Sequence, residues 1–176
     1  MHLKLKQTPG LYIAGFMGSG KSTVGRLLSD RMGWDFVDLD AEIEKSEQST
    51  ISQIFDTRGE LEFRRIETSM MKQLIRKVEC GMPMVLALGG GAFVQPGNYE
   101  LLENNGLSIW LDCPFEVIIT RLTSPETRPL ARNRDLLQVL FENRKVGYAK
   151  ADFRIDGGGG DLETSIQQIL DLPIWR

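Results

Sequence analysis

The sequence predicts an α/β fold in which a parallel β-sheet is covered by helices on both faces. Short apolar runs alternate with helical patterns along the chain, as in folds built from strand–helix–strand units. Residues 84–88 are an unbroken apolar run, which is typical of a central parallel strand. A glycine-rich turn joins the first predicted strand to the first predicted helix. With 176 residues, the chain is expected to form one domain, residues 1–176.

The first predicted elements follow directly from apolar spacing. Residues 11–14 are apolar and predict a buried strand. Residues 21–32 carry apolar side chains at helical spacing, and Gly33 provides a natural end to that helix. Residues 36–37 lie in a second short strand, and a weak helix is expected over 41–45.

The middle of the chain predicts two helices in succession. Residues 50–53 (TISQ) resemble a capping box, which would open a short helix ending near residues 58–59. Residues 60–80 form the longest run with helical periodicity, and Gly81 and Pro83 would end it.

The second half continues the alternation of strands and helices. Strands are predicted at residues 84–88, 107–111 and 153–155, and helices at 115–122, 135–148 and from Asp161 to about 170. Residues 123–134 are polar, contain two prolines and three arginines, and predict a mobile loop. The four glycines 157–160 suggest a flexible connector.

Composition excludes several classes of protein. The 21 basic and 24 acidic residues give a net charge of −3, which argues against a protein that coats nucleic acid. Apolar stretches fall far short of the ~20 residues that span a membrane, and the first residues lack a signal-peptide core, so we expect a cytoplasmic protein. The single histidine, His2, and two cysteines, Cys80 and Cys113, argue against histidine catalysis, a zinc cluster or a disulfide framework.

The first chemical motif is GFMGSGKS at residues 15–22, which matches G-x-x-x-x-G-K-[ST]. Its glycines allow a tight turn whose backbone N–H groups point inward, and the following helix adds its positive end. Lys21 would reach the β- and γ-phosphates of a nucleotide, and the Ser22 hydroxyl would coordinate Mg²⁺. The motif therefore predicts a nucleotide phosphate site.

Asp38 and Asp40 come just after the second predicted strand, where ligands bind in this architecture. Strand alternation would place both carboxylates on one side, near the phosphate site. One could hold a metal-bound water and the other a substrate hydroxyl. The alternative is that Asp40 only caps the next helix.

Other features are individually ambiguous. Arg64 and Arg65 could pair with Glu67 and other carboxylates on the helix surface, or one could bind a substrate carboxylate. Three successive glycines, 89–91, suggest close approach of the backbone to a ligand. Arg128 could close over a γ-phosphate or simply lie in a solvated loop. Arg144 could neutralise a helix C-terminus.

Taken in order, the segments GFMGSGKST, DLD, GELEFRRIE, GGG, RPL and RKVGY resemble the shikimate kinase family. The resemblance runs from about residue 11 to 156. It implies a three-layer αβα P-loop fold of the nucleoside-monophosphate-kinase type, with a five-stranded parallel sheet and a mobile lid near 123–134. It also implies a monomer that transfers the γ-phosphoryl group of ATP to the 3-hydroxyl of shikimate, on the route to chorismate and the aromatic amino acids.

The resemblance also implies roles for individual residues. Asp40 would hold shikimate hydroxyls and orient the attacking one, while Lys21 and Arg128 would stabilise charge on the transferred group. The implied ATP ligands are Gly18, Ser19, Gly20, Lys21, Ser22, Thr23, Arg121 near the adenine, and Arg128. The implied Mg²⁺ ligands are Ser22 and, through water, Asp38. The remaining implied shikimate ligands are Arg64, Gly90, Gly91 and Arg144. No nucleic acid and no membrane are expected as partners.

Two alternatives stay open at this point. Another small P-loop kinase is possible, because gluconate is also a carboxylate with hydroxyls, whereas a nucleoside monophosphate would need a base-binding surface that the sequence does not identify. A nucleotide-binding regulatory module without catalysis is the alternative from a different class. Lys21, Ser22, Asp38 and Arg128 are all present, which argues against it.

Overall fold

Five parallel strands make up the sheet in the part of the chain that the structure describes. The computed structural model describes residues 10–122, 134–158 and 162–173. The strands are β1 (Gly10–Ala14), β2 (Asp35–Asp38), β3 (Met84–Ala87), β4 (Gly106–Asp112) and β5 (Phe153–Asp156). Their order across the sheet is β2-β3-β1-β4-β5, and each neighbouring pair is parallel. The predicted α/β class and the five-stranded parallel sheet are confirmed.

The helices occupy nearly all the predicted positions. They are α1 (Lys21–Met32), α2 (Leu39–Glu47), α3 (Ile51–Glu79), α4 (Asn98–Glu103), α5 (Phe115–Arg121), α6 (Arg134–Tyr148) and α7 (Leu162–Leu170). The sequence analysis missed α4, because six residues are too few to show a helical period. The predicted lid at 123–134 lies outside the described residues except for Arg134, and Asp161 also lies outside them.

Helix α3 contains the predicted break. Gly59 has φ 80° and ψ 168°, so the helix is interrupted between the two segments expected from the sequence. Its first turn carries the predicted capping box: the Gln53 N–H donates to Thr50 Oγ1 at 3.2 Å, and the Thr50 N–H donates to Gln53 Oε1 at 2.9 Å. The break separates the capped first segment from the second, which carries Arg64.

The two faces of the sheet bury two separate apolar layers. Successive side chains of β1 point to opposite faces. Leu11 and Ile13 therefore pack in a layer with residues of α1 and α7, while Tyr12 and Ala14 belong to a layer that includes residues of α2, α3, α4, α5 and α6. This gives the three-layer arrangement, with the carboxyl ends of all strands at one edge of the sheet.

The glycines at 157–158 are not a flexible connector, contrary to the prediction. A Cβ at Gly157 would lie 2.8 Å from Leu111 Cγ, and one at Gly158 would overlap the ring of Pro114. The Gly157 N–H donates to the Asp112 carbonyl at 2.8 Å. These glycines allow the chain after β5 to pack closely against the segment after β4. Residues 159–160 lie outside the described residues.

The helices were also compared with the length and hydropathy that a membrane span requires. Within residues 10–122, 134–158 and 162–173, none is both long and apolar enough to cross a bilayer.

Candidate active site

The loop after β1 has the backbone that the glycine-rich motif predicts. Gly15, Gly18 and Gly20 all have positive φ, at 149°, 75° and 96°. A Cβ at Gly15 would also lie 2.8 Å from the Leu111 carbonyl oxygen, so this position has no room for a side chain. We call residues 15–22 the phosphate loop. Its last residues begin helix α1, so the loop lies at the positive end of that helix.

Lys21 and Ser22 point to two different parts of the site. Lys21 is 9% exposed, and its ammonium donates to the Phe16 carbonyl at 2.9 Å, which keeps it against the phosphate loop. The Ser22 hydroxyl donates to Asp38 Oδ2. The hydroxyl and the carboxylate expected to serve one metal ion are thus direct neighbours, although 15 residues separate them in sequence.

Asp38 and Asp40 both lie at the site, but strand alternation, from which the sequence analysis placed them together, does not explain their positions. Asp38 is the last residue of β2 and caps α2, since its Oδ1 accepts from the Ala41 N–H at 3.2 Å. Asp40 lies within the first turn of α2, so strand alternation does not relate the two side chains. The helix cap is Asp38 rather than Asp40, and the alternative role suggested for Asp40 is wrong.

The three glycines after β3 make room for four charged side chains. A Cβ at Gly89 would lie 2.6 Å from Asp40 Oδ1 and 3.0 Å from Glu67 Oε1. One at Gly90 would lie 3.3 Å from Arg144 Nη1, and one at Gly91 would lie 2.7 Å from both terminal nitrogens of Arg64. None of the three has positive φ. The lack of room for a side chain, and not backbone conformation, therefore explains why residues 89–91 are glycines. We call these three residues the triple glycine.

Arg64 is held from one side by a buried carboxylate. Its Nη1 donates to Glu67 Oε2 at 2.8 Å, and its Nη2 donates to Glu60 Oε1 at 3.3 Å. The side chain is 14% exposed, and its buried Nε has no hydrogen-bond partner. Arg65, by contrast, has 77% of its side chain exposed and pairs with Glu62. The structure therefore distinguishes the two neighbouring arginines, of which only Arg64 enters the site.

Glu67 is a residue of the site that the sequence analysis treated only as a surface partner. It is 1% exposed. Burial raises its pKa above the ordinary 4.5, and the Arg64 guanidinium opposes this rise. A signal was available: Glu67 falls four residues after Phe63 and seven before Leu74, on the apolar side of α3, where an acidic residue is unusual.

Arg144 approaches the triple glycine from the opposite helix, α6. Its guanidinium carbon lies 5.5 Å from the centre of the Phe16 ring. Burial lowers its pKa, and the nearby positive charge of Arg64 lowers it further. Two guanidinium groups thus converge in a largely desolvated place, which favours an anionic ligand between them. Arg144 does more than neutralise a helix end.

Arg121 lies at the phosphate loop. Its Nη1 donates to the carbonyls of Gly18 at 3.4 Å and Ser19 at 3.3 Å, and to Cys113 Sγ at 3.6 Å. The predicted adenine contact of Arg121 stays a prediction. Arg128 lies outside the described residues.

The comparisons with known proteins agree with this geometry. The family model of shikimate kinase matches residues 17–172. A curated shikimate kinase from Persephonella marina is 41% identical over 161 residues, covering 91% of this chain and 96% of its own. The chain belongs to the shikimate kinase family. The recognition made from the ordered motifs is therefore confirmed.

Solved structures give the same family. A shikimate kinase from Acinetobacter baumannii, in complex with shikimate, superposes with a TM-score of 0.88 at 35% identity, covering 96% of this chain and 94% of that one. A gluconokinase from Sinorhizobium meliloti has a TM-score of 0.60 at 16% identity, covering 92% and 89%, and shows only that the fold is shared.

Proposed function

We propose that this chain transfers the γ-phosphoryl group of ATP to the 3-hydroxyl of shikimate, giving shikimate 3-phosphate and ADP. The observation that carries the proposal is the convergence of Arg64, Arg144 and Asp40 on the triple glycine. Two guanidinium groups suit a carboxylate, and a carboxylate suits a hydroxyl donor. Shikimate offers both groups, and the Acinetobacter baumannii relative was solved with it.

The phosphate loop and the first turn of α1 would bind the ATP phosphates through the N–H groups of residues 18–23 and through the Lys21 ammonium. The ammonium of Lys21 already lies against this loop, 2.9 Å from the Phe16 carbonyl. Phosphoryl transfer needs alignment and charge stabilisation more than covalent chemistry. A buried cation beside the N-terminus of α1 provides that stabilisation.

Ser22 and Asp38 fit a magnesium ion. Both offer hard oxygen atoms, and they are hydrogen-bonded to each other. Within the described ranges there is no group of three or more His, Cys, Asp and Glu side chains that could hold a metal. Such a sparse set suits Mg²⁺, which keeps several waters and binds substrate phosphates. When bound, Mg²⁺ would neutralise charge on the phosphates.

Asp40 would orient the attacking hydroxyl and accept its proton. Its Oδ1 faces Gly89, next to the buried carboxylate of Glu67. Arg64 and Arg144 would bind the shikimate carboxylate, with Glu67 holding the Arg64 fork in place at 2.8 Å. Gly90 and Gly91 would line the same pocket. These contacts divide the site into a phosphate side and an acceptor side.

Arg128 is proposed as a further charge-stabilising residue on the grounds of its RPL motif alone. Replacing it in Arg128→Ala is expected to lower kcat by roughly 10³-fold, because arginines in this role act on the transition state. Shikimate affinity should change little. A near-normal kcat would contradict the assignment.

The deciding experiment measures ADP release from MgATP with shikimate, gluconate or AMP as acceptor. Release with shikimate, and product phosphate located on the 3-oxygen by NMR, would support the proposal. Release with another acceptor alone would contradict the roles of Arg64 and Arg144. ATP binding without release for any acceptor would favour a non-catalytic regulatory module.

We further propose that the protein is a cytoplasmic monomer that does not act on nucleic acid. The net charge of −3 supports the last point. Sedimentation of the purified chain would check the assembly, and fractionation of the source cells would check the location.

A further inference from the structure

Tyr148 lies on the acceptor side of the site, between the Arg144 side chain and the triple glycine. It is the last residue of α6 and is 1% exposed. Its hydroxyl donates to the Gly90 carbonyl. The same hydroxyl lies close enough to the Arg144 side chain, four residues earlier on the helix, for the two groups to interact electrostatically. One phenol therefore contacts both an arginine and a backbone segment of the site.

The ring that carries this hydroxyl is fixed on several sides. It packs against Trp110 with ring centres 6.1 Å apart, and against Phe93 at 6.5 Å. The preceding residue, Gly147, has no side chain because a Cβ there would overlap Val94. Helix α6 consequently sits tightly on the segment that follows the triple glycine. A hydroxyl on so constrained a ring has little freedom to move.

The contacts of Tyr148 restrict two groups. The hydroxyl gives its proton to the Gly90 carbonyl, so its oxygen lone pairs remain for the nearby Arg144 guanidinium, whose neighbour here is a neutral phenol. A neutral partner leaves the full positive charge of Arg144 available to an anion. Because C=O and N–H point in opposite directions across a trans peptide, anchoring the Gly90 carbonyl also directs the Gly91 N–H away from α6.

We propose that Tyr148 is a positioning residue: it locks the Arg144 guanidinium and the Gly90 peptide in one geometry and thereby sets the affinity for the carboxylate of the acceptor. The inference rests on the proposed function, since it assumes that these groups bind the acceptor. Tyr148 does not act on the phosphate side, and ATP affinity should be independent of it.

The test compares Tyr148→Phe with Tyr12→Phe. Tyr12 is equally buried, and its hydroxyl donates to the Asn105 carbonyl at 3.0 Å, at the opposite edge of the sheet. Both variants lose one buried hydroxyl, so a loss of stability alone should affect them alike. For Tyr148→Phe we expect KM for shikimate to rise roughly tenfold, from losing the bond that anchors Gly90 and the polar neighbour of Arg144 together. Its KM for ATP should stay within about twofold.

Three outcomes would overturn the inference. An unchanged KM for shikimate in Tyr148→Phe would do so, as would an equal rise in both KM values, or the same rise in Tyr12→Phe. Wild-type protein that shows no shikimate-dependent ADP release would instead contradict the proposed function, so the two failures are distinguishable.

A double variant tests the route through Arg144. Shikimate affinity is measured by titration for Arg144→Ala and for Arg144→Ala with Tyr148→Phe. If Tyr148 acts through Arg144, the second change should weaken binding little further. Fully additive losses would show that Tyr148 does not act through Arg144 and would overturn the proposed positioning of that guanidinium.

Discussion

The terminal nitrogens of Arg64 occupy the space that a side chain at position 91 would need. A Cβ built on Gly91 lies 2.7 Å from both Nη atoms, and Arg64 is tied to Glu67 on its other side. The guanidinium of Arg64 thus fits between the buried carboxylate of Glu67 and the backbone of Gly91, which has no side chain. Its position depends on the absence of an atom at Gly91 as well as on the presence of Glu67.

Gly91→Ala should therefore weaken shikimate binding. The new methyl group would push Arg64 away, at an overpacking cost of about 1–3 kcal/mol. We expect KM for shikimate to rise at least about tenfold, which corresponds to ~1.4 kcal/mol, with KM for ATP unchanged. Steady-state kinetics with each substrate varied in turn would measure this.

Gly33→Ala is the matched control for that change. Gly33 ends α1 with φ 64°, and a Cβ there would meet nothing within 4 Å. Alanine should cost roughly 1–2 kcal/mol of stability through backbone strain, without touching the site. If Gly33→Ala raised KM for shikimate as much as Gly91→Ala does, general destabilisation would explain both results.

Arg64→Lys should weaken shikimate binding while keeping the fold. Lysine preserves a positive charge beside buried Glu67 but lacks the planar fork that matches a carboxylate. Titration should show at least roughly tenfold weaker shikimate binding. Arg65→Lys, on the exposed neighbour, should leave binding unchanged. Equal effects in both variants would show that Arg64 has no special contact with the substrate.

Asp40→Asn should lower kcat with little effect on ATP affinity. A carboxylate that accepts a proton in the transition state contributes typically 10²- to 10⁴-fold, so a loss of at least about 100-fold is expected. Asp35→Asn, at the exposed start of β2, is the control and should retain activity. A kcat within about threefold of wild type would exclude proton transfer to Asp40.

Local patterns were enough to predict the sheet, most helices and the phosphate loop. Apolar spacing depends on neighbouring residues, and the spacing of glycines, Lys21 and Ser22 is set by one turn of chain. The place of Asp40 could not be obtained in this way. Its position in the site results from contact with Gly89, 49 residues later, and not from alternation along β2.

The role of the triple glycine also depends on residues that are distant from it in the sequence. The sequence indicated a close approach, but the approaching groups come from three helices: Asp40 from α2, Arg64 and Glu67 from α3, and Arg144 from α6. Only the packing of these helices over one edge of the sheet brings them together. Glu67 could have been found from its position on an apolar helix face, since a buried acid requires a partner.

The pH dependence of stability tests whether burial or the attraction of Arg64 has the larger effect on the pKa of Glu67. Its pKa is raised in the folded protein, so between 4.5 and that raised value the folded state binds more protons than the unfolded state. Stability contributed by the protonated carboxyl is then fully present below pH 4.5 and is lost as pH rises through the folded pKa.

In Glu67→Gln this pH dependence of stability disappears. Denaturant unfolding at a series of pH values should therefore show the stability of wild type, relative to the variant, falling as pH rises above 4.5. A relative stability that grows with pH would mean that the attraction of Arg64 outweighs burial and that the pKa of Glu67 is lowered.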